Sequence, residues 1–160
     1  MDKNILHTLF SDAPLTVAER ERVLGAYTRV TFAKDEFLFK EAQTLHHYYF
    51  LAEGFVRSFT YDYQGNEVTT QFYSPPNIVI DWTSFMLRIP TQENFQANTT
   101  CVCWRLSYQD FQKLFHSIKG FRESGRGRFA MSYLELKKNR LSIISNTAKE
   151  RYLLLLKEHP

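Results

Sequence analysis

The chain has 160 residues, enough for one domain with a real core and short for two. Hydrophobic residues make up 44% and charged residues 23%, an ordinary globular balance, and no apolar run approaches the roughly 20 residues a membrane helix needs. A net charge of +3 does not by itself demand nucleic acid, while an aromatic share of 16%, with 14 Phe and 9 Tyr, leans toward sheet.

The opening residues 1–10 lack the charged, apolar and small-residue layout of a secretory signal. Thr16-Val17-Ala18-Glu19 fits a capping box, so a helix is expected to about Ala26, with Val17, Val23 and Leu24 among its apolar contacts. From Tyr27 to about Leu106 the period falls to two. Val30 and Phe32 alternate with Arg29 and Thr31, and Lys34-Asp35 reads as a turn before a strand at Phe37-Leu38-Phe39. Strands follow at Tyr48 to Leu51, closed by Glu53-Gly54, and at Phe55 to Phe59. The cluster Asp62 to Asn66 predicts a hairpin turn, because Gly and Asn tolerate positive φ. Glu67 to Tyr73 returns, Pro75-Pro76 stops it, and Phe95 to Leu106 is expected as the last long strand. Cys101 and Cys103 alternate on that strand, which predicts buried reduced thiols on one face. The protein reads as cytoplasmic. Many short strands at regular spacing point to an antiparallel roll or barrel.

After Ser107 the period lengthens. Tyr108, Phe111, Leu114 and Phe115 predict a short helix, Gly120, Gly125 and Gly127 a looser stretch, and residues Arg128 to Ser145 a long helix. That helix carries two apolar rows, one of Phe129, Tyr133, Leu136 and Ile143, the other of Ala130, Leu134, Leu141 and Ile144. A helix apolar on two sides needs two covers: its own roll is one, and a twin helix is the expected second. The homodimer interface is therefore assigned to Phe129, Tyr133, Leu134, Leu141 and Ile144; the competing reading is that the roll covers both rows. A second capping box, Thr147 to Glu150, starts a helix through Leu153 to Leu156, after which the chain stops at Pro160 with an exposed-looking Leu run and nothing to pack against. That ending looks truncated.

Three stretches carry a resemblance. Residues Ala33 to Gln43 resemble the opening turn and strand of cyclic-nucleotide-binding domains, where the usual pattern is K-x-G-E-x-L-F-x-E-G. Tyr48 to Arg57 looks like the following strand pair, and Thr147 to Pro160 is similar to the segment leading into the DNA-binding region of Crp/Fnr regulators, especially the Bacteroidetes type. The order and spacing of these pieces identify the chain with the Crp/Fnr family over nearly its whole length. The resemblance implies a mainly β fold with flanking helices: a double-stranded β-helix, or jelly roll, followed by a long dimerisation helix. The implied divisions are a roll with its N-terminal helix at 1–120, the dimerisation helix at 121–146, and the start of a hinge and DNA-binding region at 147–160. Promoter DNA would be met only through a C-terminal region absent here, and a small-molecule effector through the roll.

Relatives that bind cyclic AMP supply a Gly-Glu pair for the ribose and an Arg-Ser pair for the phosphate. Here the first falls near Ile80-Asp81-Trp82, with no Gly and a shorter acid, and the second near Thr91-Gln92, flanked by Glu93, with no arginine. Arg88 is the nearest base, and the helix position that meets the nucleobase falls near Leu134 and Glu135. The candidate pocket is Ile80, Asp81, Trp82, Arg88, Thr91, Gln92, Leu134 and Glu135, either retuned for another effector or filled by its own side chains. Weak or absent binding of cyclic AMP is expected. His46 and His47 make no chelating pair, since adjacent strand residues point to opposite faces, so neither a metal nor any other cofactor is expected. The sequence therefore reads as the ligand-sensing and dimerising domain of a transcription regulator, not an enzyme. A stand-alone ligand-binding or interaction module and a cupin-type metalloenzyme are the rivals.

Overall fold

The computed structural model describes residues 4–159. Two helices lead in: α1 (Asn4–Leu9) and α2 (Val17–Gly25). The expected capping box is formed, Glu19 N–H donating to the Thr16 hydroxyl at 3.2 Å and Thr16 N–H to the Glu19 carboxylate at 2.9 Å. Val23 and Leu24 enter the core, but Val17 stands 77% exposed, because the first residue of the helix lies on its outer side. The helix α1 had no sequence expectation, yet Leu6 and Phe10 around its end are buried in the same core as the strands.

Eight strands follow: β1 (Thr28–Phe32), β2 (Phe37–Phe39), β3 (His47–Glu53), β4 (Val56–Tyr61), β5 (Glu67–Tyr73), β6 (Asn77–Val79), β7 (Asn94–Ala97) and β8 (Cys101–Ser107). They form two antiparallel four-stranded sheets, ordered β1-β8-β3-β6 and β2-β7-β4-β5. The sheets face each other as a jelly roll around Phe50, Leu51, Val56, Phe59 and Phe95, all essentially without solvent contact. The single long strand expected from Phe95 to Leu106 is two strands in different sheets. The break lies at Asn98-Thr99-Thr100, where Asn98 N–H donates to the Phe55 carbonyl and Phe55 N–H to the Thr99 hydroxyl, turning the chain from one sheet to the other. Gly54 at this corner has φ +97°, and a Cβ there would meet the Thr100 carbonyl oxygen at 2.4 Å. Cys101 and Cys103 are buried as expected, and burial pushes the Cys103 thiol up to about 12.

Two turns take a left-handed backbone without glycine: Asp35 at φ 69° and Ala42 at φ 66°. Both sit where the resembled pattern has Gly. Such a conformation costs an L-residue roughly 1–2 kcal/mol, and tertiary bonds hold it here. Asp35 N–H donates to the Ala97 carbonyl at 2.7 Å, and Ala42 N–H to that of Thr91 at 2.8 Å.

The helix α4 (Tyr108–Ser117) runs into α5 (Lys119–Ser145), which begins nine residues before the expected Arg128. The glycines do not loosen it. Gly120 is needed for close approach, since a Cβ would lie 2.2 Å from the Pro14 carbonyl oxygen, and buried Phe121 anchors the first turn. Arg122 donates to the Phe115 carbonyl, and Arg128 to that of Leu9 while lying over the Phe10 ring. The second capping box forms at Thr147 and opens α6 (Ala148–Glu158). The chain end does find a surface: His159 Nδ1 lies 2.8 Å from the Ser74 hydroxyl, its ring packs on Phe55 and Phe72, and Lys138 pairs with Glu158 at 3.0 Å. Among the described residues no helix is long and apolar enough to cross a membrane.

Candidate ligand site between the roll and the long helix

After β6 the chain leaves the sheet at buried Ile80 and turns into the short helix α3 (Trp82–Leu87). Asp81 starts that helix. Its carboxylate accepts from the N–H groups of Thr83 at 3.0 Å and Ser84 at 3.3 Å, so one oxygen is occupied by the cap. Trp82 is half-buried and meets Phe129 of α5 edge-on at 5.5 Å, linking α3 to the long helix. Arg88 ends α3 with φ 59°. Its guanidinium donates to the Leu45 and Phe85 carbonyls, lies 3.1 Å from His46 Nδ1 and stacks on the Tyr108 ring at 4.0 Å.

The segment from Pro90 to Glu93 returns to the roll. Thr91 is buried, its N–H donating to the Gln43 carbonyl, whereas the Gln92 side chain is exposed and the Gln92 backbone carbonyl accepts from the Thr60 hydroxyl. Next to it a polar chain crosses the roll. The Thr70 hydroxyl donates to the Glu93 carboxylate, and the Ser58 hydroxyl lies 2.8 Å from Thr70 Oγ1. Burial raises the Glu93 carboxyl above its ordinary value, and the charge of Asp81 raises it further, against the Thr70 and Ser58 hydroxyls. Burial also holds the Tyr73 phenol far above its usual range, with Glu93, Asp81 and Glu135 adding to the effect. The end of the roll that faces α3 thus collects negative charge. Arg57, on β4, does not offset it, being paired with Glu67 at 2.8 Å and stacked over Phe59.

A cleft of about 670 Å3 separates the roll from the other side of α5, lined by Asn77, Ile78, Trp82, Glu123, Arg128 and Glu135 among others. The structure thus brings Trp82 and Glu135 together in that cleft, with Ile80 and Asp81 at the start of α3. It commits Arg88 to the opposite end of α3, exposes Gln92, and leaves Leu134 55% exposed on α5. Ser58, Thr70 and Tyr73 were missed, because neither the buried Ser58 and Tyr73 nor the exposed Thr70 differs in sequence from other strand residues; only the pairing of β4 with β5 and the approach of Glu93 bring them together. Among the described residues no group of three or more His, Cys, Asp or Glu is placed to hold a metal ion. His47 instead opens β3 with its Nε2 2.6 Å from the Tyr49 hydroxyl, and burial lowers its pKa.

The sequence profile of the cyclic nucleotide-binding domain matches residues 29–117. The chain belongs to the cyclic nucleotide-binding domain family. No curated protein sequence matches it. Among solved structures, this cyclic nucleotide-binding domain is similar to the catabolite activator protein of Thermus thermophilus, with 19% identity and a TM-score of 0.69 over 86% of this chain and 62% of that one. It is similar to the sensor domain of the transcriptional regulator DNR from Pseudomonas aeruginosa, with 17% identity and a TM-score of 0.63 over 91% and 93%. The c-di-GMP-responsive global regulator CLP from Xanthomonas campestris gives 14% identity and a TM-score of 0.70 over 89% and 72%. At these identities the likeness is one of fold. The chain spans less than two thirds of the Thermus protein.

Proposed function

We propose that this domain is the ligand-sensing and dimerising part of a Crp/Fnr-type transcription regulator whose effector is neither cyclic AMP nor cyclic GMP. The observation that carries the reading is the half-buried Glu93 carboxylate beside Thr91-Gln92, where the resemblance expects the phosphate to be held, with Asp81, at the ribose position, close enough to act on it electrostatically. A buried anion needs a positive partner and donors. Here it would meet the Glu93 carboxylate with no arginine in the expected place, while Arg88 is engaged beyond α3.

The effector pocket in this reading is framed by Ile80, Asp81, Trp82, Thr91, Gln92 and Glu135, with Arg88 and Leu134 at its margins. The divisions are a roll at 1–120, a dimerisation helix at 121–146 and a hinge from 147 that leads toward a DNA-binding region. Effector binding biases the arrangement of α5 in a homodimer and passes through α6 to promoter DNA. Exposure of Leu141 and Ile144, at 56% and 76%, supports α5 as the seam.

Calorimetry tests the reading. Neither cyclic nucleotide should give saturable binding below millimolar concentration, and micromolar binding of either overturns it. In light scattering the chain should be a dimer that the double substitution Leu141→Glu, Ile144→Glu converts to monomer, because the seam would bury unpaired charge.

A further inference from the structure

The long helix carries two glycines that the packing does not explain. Gly125 and Gly127 lie in its interior, where glycine costs roughly 1 kcal/mol relative to alanine. Neither has a positive φ, and a Cβ at either would meet nothing within 4 Å. Gly120, in contrast, is required by the Pro14 carbonyl. Two residues apart on a helix, Gly125 and Gly127 open onto opposite sides. Gly127 lines the mixed polar and apolar cleft described above, and Gly125 lines a second hollow, of about 510 Å3, between α3, α4 and α5.

That second hollow differs in chemistry from the first. Its walls are Trp82, Met86, Leu87, Phe111, Phe115 and Phe129. Its volume falls in the range of small-molecule sites, and no buried charge crosses it. One ionic group stands at its rim, Arg126. The neighbouring arginines are engaged, Arg122 with the Phe115 carbonyl and Arg128 with that of Leu9, and Glu123 pairs with Lys119 at 3.7 Å. Among the described residues no acid pairs with Arg126.

We propose that the hollow between α3, α4 and α5 binds a small apolar monoanion, an aliphatic or aromatic carboxylate whose hydrocarbon part fills the space over Gly125 and whose charged end meets Arg126. An aromatic and thioether wall takes hydrocarbon without polar cost, and the Arg126 guanidinium at its rim selects the sign of the head group. Trp82 lines this hollow and the roll cleft alike, so a ligand here would bear on the contact between α3 and α5. The site lies outside the roll; it shares Trp82 with the proposed effector pocket but does not rest on the regulator reading.

The test uses octanoate, 1-octanol and octylammonium as probes on the full chain, followed by calorimetry and by NMR of the Trp82 indole. Octanoate should bind saturably, one per chain, with octanol roughly tenfold weaker, as expected for loss of a charge-assisted contact, and octylammonium weaker still. Gly125→Met should abolish octanoate binding by filling the hollow, without lowering the melting temperature, since methionine is the better helix former. Arg126→Gln should reduce octanoate to the level of octanol. No saturable octanoate binding into the millimolar range, or binding unchanged by Gly125→Met, overturns the proposal. So does a change in light-scattering mass in Gly125→Met with octanoate binding intact, which would assign the hollow to a second copy of the chain. Each of these failures leaves the cyclic-nucleotide calorimetry of the regulator reading untouched.

Discussion

The roll and the C-terminal helices are both rich in apolar side chains and dispose of them in opposite ways. In the roll, Phe50, Phe59 and Phe95 are fully buried, and the Phe39 ring meets Phe95 edge to face at 5.5 Å and Tyr49 at a tilt at 5.1 Å. In α5 and α6, Tyr133, Leu136, Leu141, Ile143, Ile144 and Tyr152 all remain more than half exposed. The two sheets supply each other's inner face, so the roll completes its core within one chain. A single helix with apolar residues on several sides cannot be covered by one roll, and past Ser132 none of its residues is buried. Large exposed apolar stretches on a folded domain mark surfaces for association.

Truncation at matched positions is the strongest way to break this comparison. Phe50→Ala should cost about 3–5 kcal/mol in urea unfolding, the usual range for a large side chain removed from a packed core. Ile143→Ala, measured on protein too dilute to associate, should fall within about 0.5 kcal/mol of the parent. An equal cost for both would mean that α5 has cover the structure does not show.

The two capping boxes sharpen the same contrast at smaller scale, because their chemistry is the same and their settings differ. Thr16 caps a helix whose Val23 and Leu24 lie in the core, whereas Thr147 caps a helix with no buried residue. Thr16→Ala should lower global stability by about 1 kcal/mol. Thr147→Ala should leave global unfolding unchanged and speed amide exchange only in residues 148–158, since opening of a poorly packed helix is local.

The smallest effect concerns Glu93. Its raised carboxyl pKa means that the native state binds a proton more readily than the unfolded chain, so this group favours folding in acid, below the ordinary carboxylate range. That contribution is lost as pH rises through the folded-state value. Glu93→Gln should therefore leave stability unchanged in acid and raise it at neutral pH, read as a melting-temperature difference that appears only above the carboxylate titration. A gain that is independent of pH would assign the effect to packing instead.

Much of the roll was legible because its signals are local. Turn signals on either side bounded β2 and β5 residue for residue, Gly65 at φ +83° formed the expected hairpin turn, and both threonine boxes formed where Thr and Glu stand three apart. The break at Asn98 to Thr100 and the helix α1 were not legible, because both are decided by which distant strand or core surface the segment meets. In the candidate site, the residue types at Thr91, Gln92 and Glu93 could be read directly, and none is an arginine. The engagement of Arg88 by Leu45 and Tyr108, and the joining of Ser58 and Thr70 to Glu93, bring together residues that lie up to 43 positions apart.

The sequence by itself determined several strands and helices, both capping boxes and the hairpin turn, since each depends on residue type at short spacing. Only the tertiary structure decided that α5 runs unbroken through its glycines from Lys119. Phe121 in the core and the bonds of Arg122 and Arg128 hold that helix where local propensity alone would let it fray. The same packing decided that Asp35 and Ala42 take a backbone usually left to glycine, because hydrogen bonds from across the roll offset the cost.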